Sequence, residues 1–237
     1  MPSVAIADAV RSLGSALSGG QRMGDVGRMR LMRTDLALAG AMVALLAVGG
    51  CGATTATPGA SGAGGITATG TALAIDPMTS IDGATRYATD VFGIDVPPGM
   101  VASTREAGDQ AGTTVLSLTE PGETVPAVNV VFTSEKGATD RTMDVDAVDT
   151  ELRLRQGGLY TSLKRQPATW DGMAYAVALT GTFQLASDAG DPARDMIMVI
   201  VRGPGSTGSV AVSAQAPSGG LTTSPAYAAL RTLRFGS

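Results

Sequence analysis

Hydrophobic and polar positions divide the chain into three stretches. From Leu36 to Cys51 it is apolar without interruption, ending in Val48-Gly49-Gly50-Cys51. From Gly52 to Thr71 it is almost entirely Ala, Gly, Thr, Ser and Pro, with no charged residue. From about Ile75 to Phe235 short alternating runs are broken by turn clusters, and two segments carry a helical period. That third pattern predicts a single α+β domain, an antiparallel sheet flanked by helices.

Within the domain, Phe92 to Val96 reads as a strand stopped at Pro97-Pro98-Gly99, where neither proline can donate to a ladder. Thr114, Leu116 and Leu118 alternate with Val115 and Ser117, and Val128, Val130 and Phe132 alternate with Asn129, Val131 and Thr133. From Asp144 to Gln156 the period becomes helical, which predicts that Val145, Val148 and Leu152 form the buried face. Asp149 with Arg153 and Glu151 with Arg155 are acid-first pairs four residues apart, and Gly157-Gly158 supplies the stop. The longest strand signal is Met173 to Leu185, bulky on one side (Tyr175, Val177, Leu179, Phe183) and small on the other (Ala174, Ala176, Ala178). Met196 to Val201 is continuously apolar, as in a strand covered on both faces, and should pair with Val210 to Ala216 across the loop from Arg202 to Ser209. Ser224 caps and Pro225 opens a closing helix with Ala226, Leu230 and Leu233 on one face.

The first apolar stretch reads as a lipoprotein signal peptide. Its core, Leu36 to Val48, has about the length of a signal h-region and is too short to cross a bilayer of roughly 30 Å as a helix. Arg28, Arg30 and Arg33 supply the positive charge before it. Small residues precede Cys51, so cleavage is expected between Gly50 and Cys51, with a diacylglyceryl group attached to the Cys51 thiol. The competing reading is a buried helix with a small apolar cysteine. It fits poorly with the uncharged Gly52 to Thr71 stretch, which has no face to bury and reads as a tether spanning roughly 25 Å. Met29 or Met32 would begin a better-formed signal than Met1. The expected organisation is therefore 1–28 as a mis-assigned extension, 29–50 as signal, 51–74 as lipid-anchored linker and 75–237 as an envelope domain.

Charge narrows the partners. From Cys51 onward the chain has 12 Lys and Arg against 18 Asp and Glu, a formal charge of −6. Lys136 and Lys164 are its only lysines and the arginines are scattered, so no basic patch for nucleic acid is visible. The chain has no histidine and one cysteine. That rules out Ser/His/Asp and Cys/His catalysis, His-ligated metal and an internal disulfide. No cofactor is expected, and the fold must rest on its hydrophobic core.

Several motifs resemble sites in letters only. Gly203-Pro204-Gly205-Ser206-Thr207-Gly208 matches G-x-G-x-x-G, but a strand follows where the phosphate-binding version needs a helix, so a hairpin loop is expected. Asp140, Asp144, Asp146, Asp149 and Glu151 form an acidic run explained by helix dipole and ion pairs. It has no EF-hand glycine at the sixth position. Asp188, Asp191 and Asp195 sit in a turn-rich segment, where solvated acids are expected. Trp170, the only tryptophan, is the candidate ligand-contacting residue, against the alternative that it seals the rim of a core. The methionines near Met196 and Met198 suit either an adaptable pocket or core filling.

Three segments carry a family resemblance: Gly93-Ile94-Asp95-Val96-Pro97-Pro98-Gly99, Ala127 to Thr133, and Pro167-Ala168-Thr169-Trp170-Asp171-Gly172-Met173-Ala174-Tyr175. With the closing helix they resemble exported lipoproteins of the LpqN type in mycobacteria and their relatives, over most of Val91 to Phe235. Met100 departs from the aromatic that related domains often place after the turn. The resemblance implies a PsbP-like fold, export and a lipid anchor on the extracytoplasmic side of the cell membrane. The bias to Ala, Gly, Thr, Arg and Asp also matches a GC-rich, actinobacterial genome. The leading expectation is a non-enzymatic binding or assembly module for an envelope protein. The alternative is a carrier for a lipid, glycolipid or small apolar ligand, which requires a cavity of roughly 300 to 1,000 Å³. A carboxylate-based hydrolase is the third reading.

Overall fold

The computed structural model describes residues 67–107, 112–133, 137–184, 192–206 and 208–236, all within one compact unit. The strands are β1 (Leu73–Ile75), β2 (Thr85–Ala88), β3 (Phe92–Val96), β4 (Val101–Glu106), β5 (Thr113–Thr119) and β6 (Val128–Thr133), then β7 (Tyr160–Trp170), β8 (Tyr175–Phe183), β9 (Arg194–Arg202), β10 (Val210–Pro217) and β11 (Arg234–Phe235). Helix α1 (Asp140–Gln156) lies between β6 and β7, and α2 (Pro225–Arg231) between β10 and β11. The class is α+β, as the pattern of runs predicts.

Eight strands form one sheet in the order β1-β7-β8-β9-β10-β6-β5-β4, and β11-β3-β2 form a second, smaller sheet. The large sheet is mixed, which corrects the expectation of a purely antiparallel one. Its edge strand β1 runs parallel to β7, with Leu73 opposite Ala168 and Ile75 opposite Trp170. β1 also straddles the expected linker boundary at 74/75. The β9–β10 hairpin forms as anticipated, from Val210 opposite Val201 to Pro217 opposite Arg194.

Alternation on these strands builds two main cores, one on each face, and a small third cluster of Ala107, Val115 and Val131. On the first face Leu116, Leu118, Val128, Val130, Val199, Val212 and Ala178 meet α2 and the small sheet through Leu230, Leu233, Phe92 and Ile94. Phe92 packs edge-on to Phe132 with ring centroids 4.9 Å apart. Helix α2 starts where its sequence says it should: the Ser224 hydroxyl accepts the Tyr227 N–H at 3.1 Å, and Pro225 occupies the first turn. The buried Asp95 carboxylate of β3 accepts from Arg86 at 2.8 Å and from the Ile81 N–H at 3.0 Å, while the Asp95 N–H donates to the Thr232 hydroxyl. Both ends of that polar group are satisfied, so its burial ties the small sheet to the end of α2 without leaving an orphan.

On the second face Val177, Leu179, Phe183, Met196, Met198 and Ile200 lie under Met143, Ala147 and Leu154 of α1. This corrects the predicted helix face. Val145 is 45% and Leu152 50% exposed. The helix also begins earlier than Asp144, at a Thr139 cap whose side chain and that of Thr142 satisfy each other's backbone N–H. Starting the helix there brings Met143 into play and creates a second apolar stripe. Three polar ties then hold that side against the sheet: Arg202 to Asp140, Tyr175 to Asp144, and Arg165 to Glu151.

Candidate functional site

Among the described residues, Trp170 is a sequence-nominated side chain that borders a concave surface. It is the last residue of β7, and the chain then reverses through Asp171-Gly172. Gly172 has φ 83°, a left-handed conformation that a Cβ would strain. The Met173 N–H closes the turn on the Trp170 carbonyl at 3.1 Å, and β8 begins at Tyr175. β1 lies alongside, with Ala74 opposite Thr169 and Ile75 opposite Trp170. Where the end of β1, this turn and the start of β8 meet, an open groove of about 490 Å³ forms. That volume falls in the range of small-molecule sites, roughly 300 to 1,000 Å³.

Trp170 is 4% exposed and packs with Ile75, Ala168, Ala176 and Met173, so it does seal a core. It also borders the groove, and its indole Nε1–H has no hydrogen-bond partner. A buried donor left unpaired costs about 1 to 3 kcal/mol. Most buried polar groups avoid that cost; among the described residues the Nε atoms of Arg194 and Arg202 are likewise buried without a partner.

The remaining walls are Ala74, Ala174, Ala176, Pro77 and Met173 together with the hydroxyl-bearing Thr169, and Asp76 and Asp171 take exposed positions on the rim. No Lys or Arg lines the groove. The nearby arginines are occupied by carbonyls: Arg231 donates to Asp76 O, and Arg234 to Met78 O, Arg231 O and Leu233 O. Burial, then the neighbouring Arg86, holds the Arg234 guanidinium below its ordinary value, opposed by Asp95 and Asp171. Tyr175 also lines the groove, but its hydroxyl donates to Asp144. Burial first, and that hydrogen bond second, push the phenol well above the ordinary tyrosine range, so it stays protonated at any physiological pH.

The acidic run along α1 is spread over separate tasks: Asp149 pairs with Arg153, Glu151 with Arg155 and Arg165, Asp140 with Arg202. The Asp195 carboxylate accepts from Gly219 N–H, the Thr182 hydroxyl and the Ser218 hydroxyl, and the first of these does most to hold it below the ordinary carboxylate value. Asp188 and Asp191 lie outside the described residues. Among the described residues no group of three or more His, Cys, Asp or Glu is placed to hold a metal ion. Met196 and Met198 are core under α1 and do not reach the groove, whereas Met173 lines it. Gly203-Pro204-Gly205-Ser206 turns between β9 and β10, and Gly203 lies so close to the Phe235 ring that a Cβ there would overlap it. Gly50 and Cys51 lie outside the described residues. Among those described, no helix is long and apolar enough to cross a membrane.

The sequence reading nominated Trp170 but missed the wall supplied by Ala74, Ile75, Asp76 and Pro77. The only signal was faint: Leu73-Ala74-Ile75 closes the Ala/Gly/Thr stretch with two β-compatible apolar residues just before Asp76-Pro77.

No protein-family model matches this chain. No curated protein matches it either. Among solved structures, a crystal-structure chain from Bacteroides thetaiotaomicron VPI-5482 is similar at 19% identity and TM-score 0.33, over 62% of this chain and 45% of that one. The present chain thus corresponds to less than half the length of that neighbour.

Proposed function

We propose that this chain is a lipid-anchored envelope protein, held through Cys51 on the extracytoplasmic side of a cell membrane, whose α+β domain is a non-enzymatic binding module. The groove at the β1 edge is its binding site. One observation carries this reading: a groove of ligand size bordered by a buried tryptophan whose N–H has no acceptor. The absence of histidine from the chain removes the commonest acid-base catalyst and supports binding over turnover. The order of strands, helix, strands and helix supports kinship with LpqN-type lipoproteins and a PsbP-like domain. With 52–71 as a tether leading to β1, the groove would stand on the order of 25 Å from the membrane surface, the root-mean-square span of a tether of about 20 residues. This favours the carrier or receptor reading for a small ligand.

A second reading, docking of an envelope protein, is favoured by a separate feature. All six residues of edge strand β4 are exposed, Val101 to 62%, which leaves a sheet edge open to strand addition.

Two measurements test the proposal. Metabolic labelling with palmitate should mark the full chain and leave Cys51→Ala unlabelled. Equal labelling of both would overturn the anchor. Native mass spectrometry of the lipoprotein purified from its own envelope, with organic extraction, should find a small molecule in fixed ratio. A domain that carries a stoichiometric protein and no small molecule would replace the carrier reading with the docking one.

A further inference from the structure

Resting on the groove as the binding site, we propose that its occupant is an uncharged glycosyl group, presented by a free saccharide or by a glycolipid head group. Three features of the lining converge on that chemistry. The Trp170 Nε1–H can only donate, so the ligand must bring an acceptor oxygen. The rim carboxylates of Asp76 and Asp171 can only accept when ionised, so the ligand must bring donors as well. A hydroxyl does both from a single oxygen, and a sugar ring carries several of them. Between them Pro77 and Met173 offer an apolar wall suited to the C–H face of a sugar ring.

Charge removes the main competitors. With two acids on the rim and no cation in the lining, a phosphate, sulfate or carboxylate ligand would meet the repulsion of Asp76 and Asp171 directly, while Arg231 and Arg234 stand behind the lining and are engaged by carbonyls. A wholly apolar ligand, such as an acyl chain, would leave the indole N–H orphaned and strip water from the rim carboxylates. The indole is 4% exposed and its Nε1 is buried, so no ring face is open for stacking and a ligand reaches the N–H only when the indole turns toward the groove.

Trp170 is the only tryptophan, so the chain gives one indole N–H proton resonance and one tryptophan fluorescence signal, both reporting on this site. The experiment titrates the full chain, labelled with nitrogen-15 at the indole, with millimolar maltotriose, mannobiose and chitobiose. Glucuronic acid, decanoate and an uncharged tetra-alanine peptide amide serve as contrasts. Phosphatidylcholine vesicles with and without digalactosyldiacylglycerol separate the glycolipid source from the free sugar. The expected result is a saturable downfield shift of the indole proton with at least one neutral saccharide or with the galactolipid vesicles alone. Glucuronic acid should bind about tenfold weaker or less, and Asp171→Asn should narrow that gap. Trp170→Phe, followed by calorimetry, should weaken neutral-sugar binding about tenfold with folding retained. Should Trp170→Phe fail to fold, Asp171→Asn carries the test with the indole reporter intact. A shift with decanoate or the peptide but with no saccharide would overturn the glycosyl assignment and leave the groove as a binding site. No shift with any probe would overturn both.

Discussion

Asp146 sits half-buried on α1 beside Asp149, and burial first, then that neighbour, push its carboxyl from the ordinary 3.8 up to about 6, against the pull of Arg153. The protonated form is therefore the one the fold accommodates. Its contribution is fully present below about pH 4 and is lost as pH rises through about 6. Asp146→Asn should stabilise the protein at pH 7 to 8 by about 0.5 to 1 kcal/mol, a figure reduced for solvent screening at a half-open site. The same substitution should be neutral near pH 4, as urea denaturation at the two pH values would show. Asp195 works in the opposite sense: held low by Gly219, Thr182 and Ser218, it stabilises the β8–β10 end of the sheet above the ordinary carboxylate range and loses that effect as pH falls. Residue identity alone pointed to Trp170 but not to its condition. That an indole N–H is buried and unpaired depends on which carbonyls come within reach, and no local pattern encodes that.

At the scale of single elements, α1 shows how two solutions compete within one helix. Met143, Ala147 and Leu154 face the sheet, while Val145 and Leu152, on the stripe the periodicity first suggests, face outward. Met143→Ala should therefore cost about 2 to 5 kcal/mol, the range for truncating a buried methionine, and Val145→Ala less than about 0.5 kcal/mol. Equal losses for the two in thermal or chemical denaturation would mean that the helix is rotated from the orientation described. Other elements were plain in the sequence. The face of α2 and the β9–β10 hairpin rest on runs whose every apolar position ends up buried: Ala226, Leu230 and Leu233 in the first case, Met196 to Val201 in the second. β7 was not legible, although it is the longest strand, because polar residues occupy many of its positions and Pro167 interrupts its ladder signal. It is extended because β8 pairs along it from Tyr160 to Pro167 and β1 pairs along its far end.

For the whole molecule, the two cores share one sheet, and the groove lies where that sheet ends in its parallel edge strand. Ile75 is 2% exposed against the core that holds Trp170, so β1 shields the indole from water. A chain beginning at Ala72 should keep the buried, blue-shifted emission of its sole tryptophan, whereas one beginning at Asp76 should show red-shifted emission and no groove. Unchanged emission in the shorter chain would place the shield elsewhere. Local periodicity was enough to define the α+β class, the β9–β10 hairpin, the capped closing helix and the acidic, histidine-free chemistry that narrows the choice of function, because each depends only on neighbours along the chain. The parallel seating of β1, the buried side of α1, the second small sheet and the groove around Trp170 are products of tertiary packing. They arise from which surfaces meet between separate segments of the chain, as Leu73 meets Ala168 and Met143 meets Val177, and spacing within a segment holds no record of that encounter.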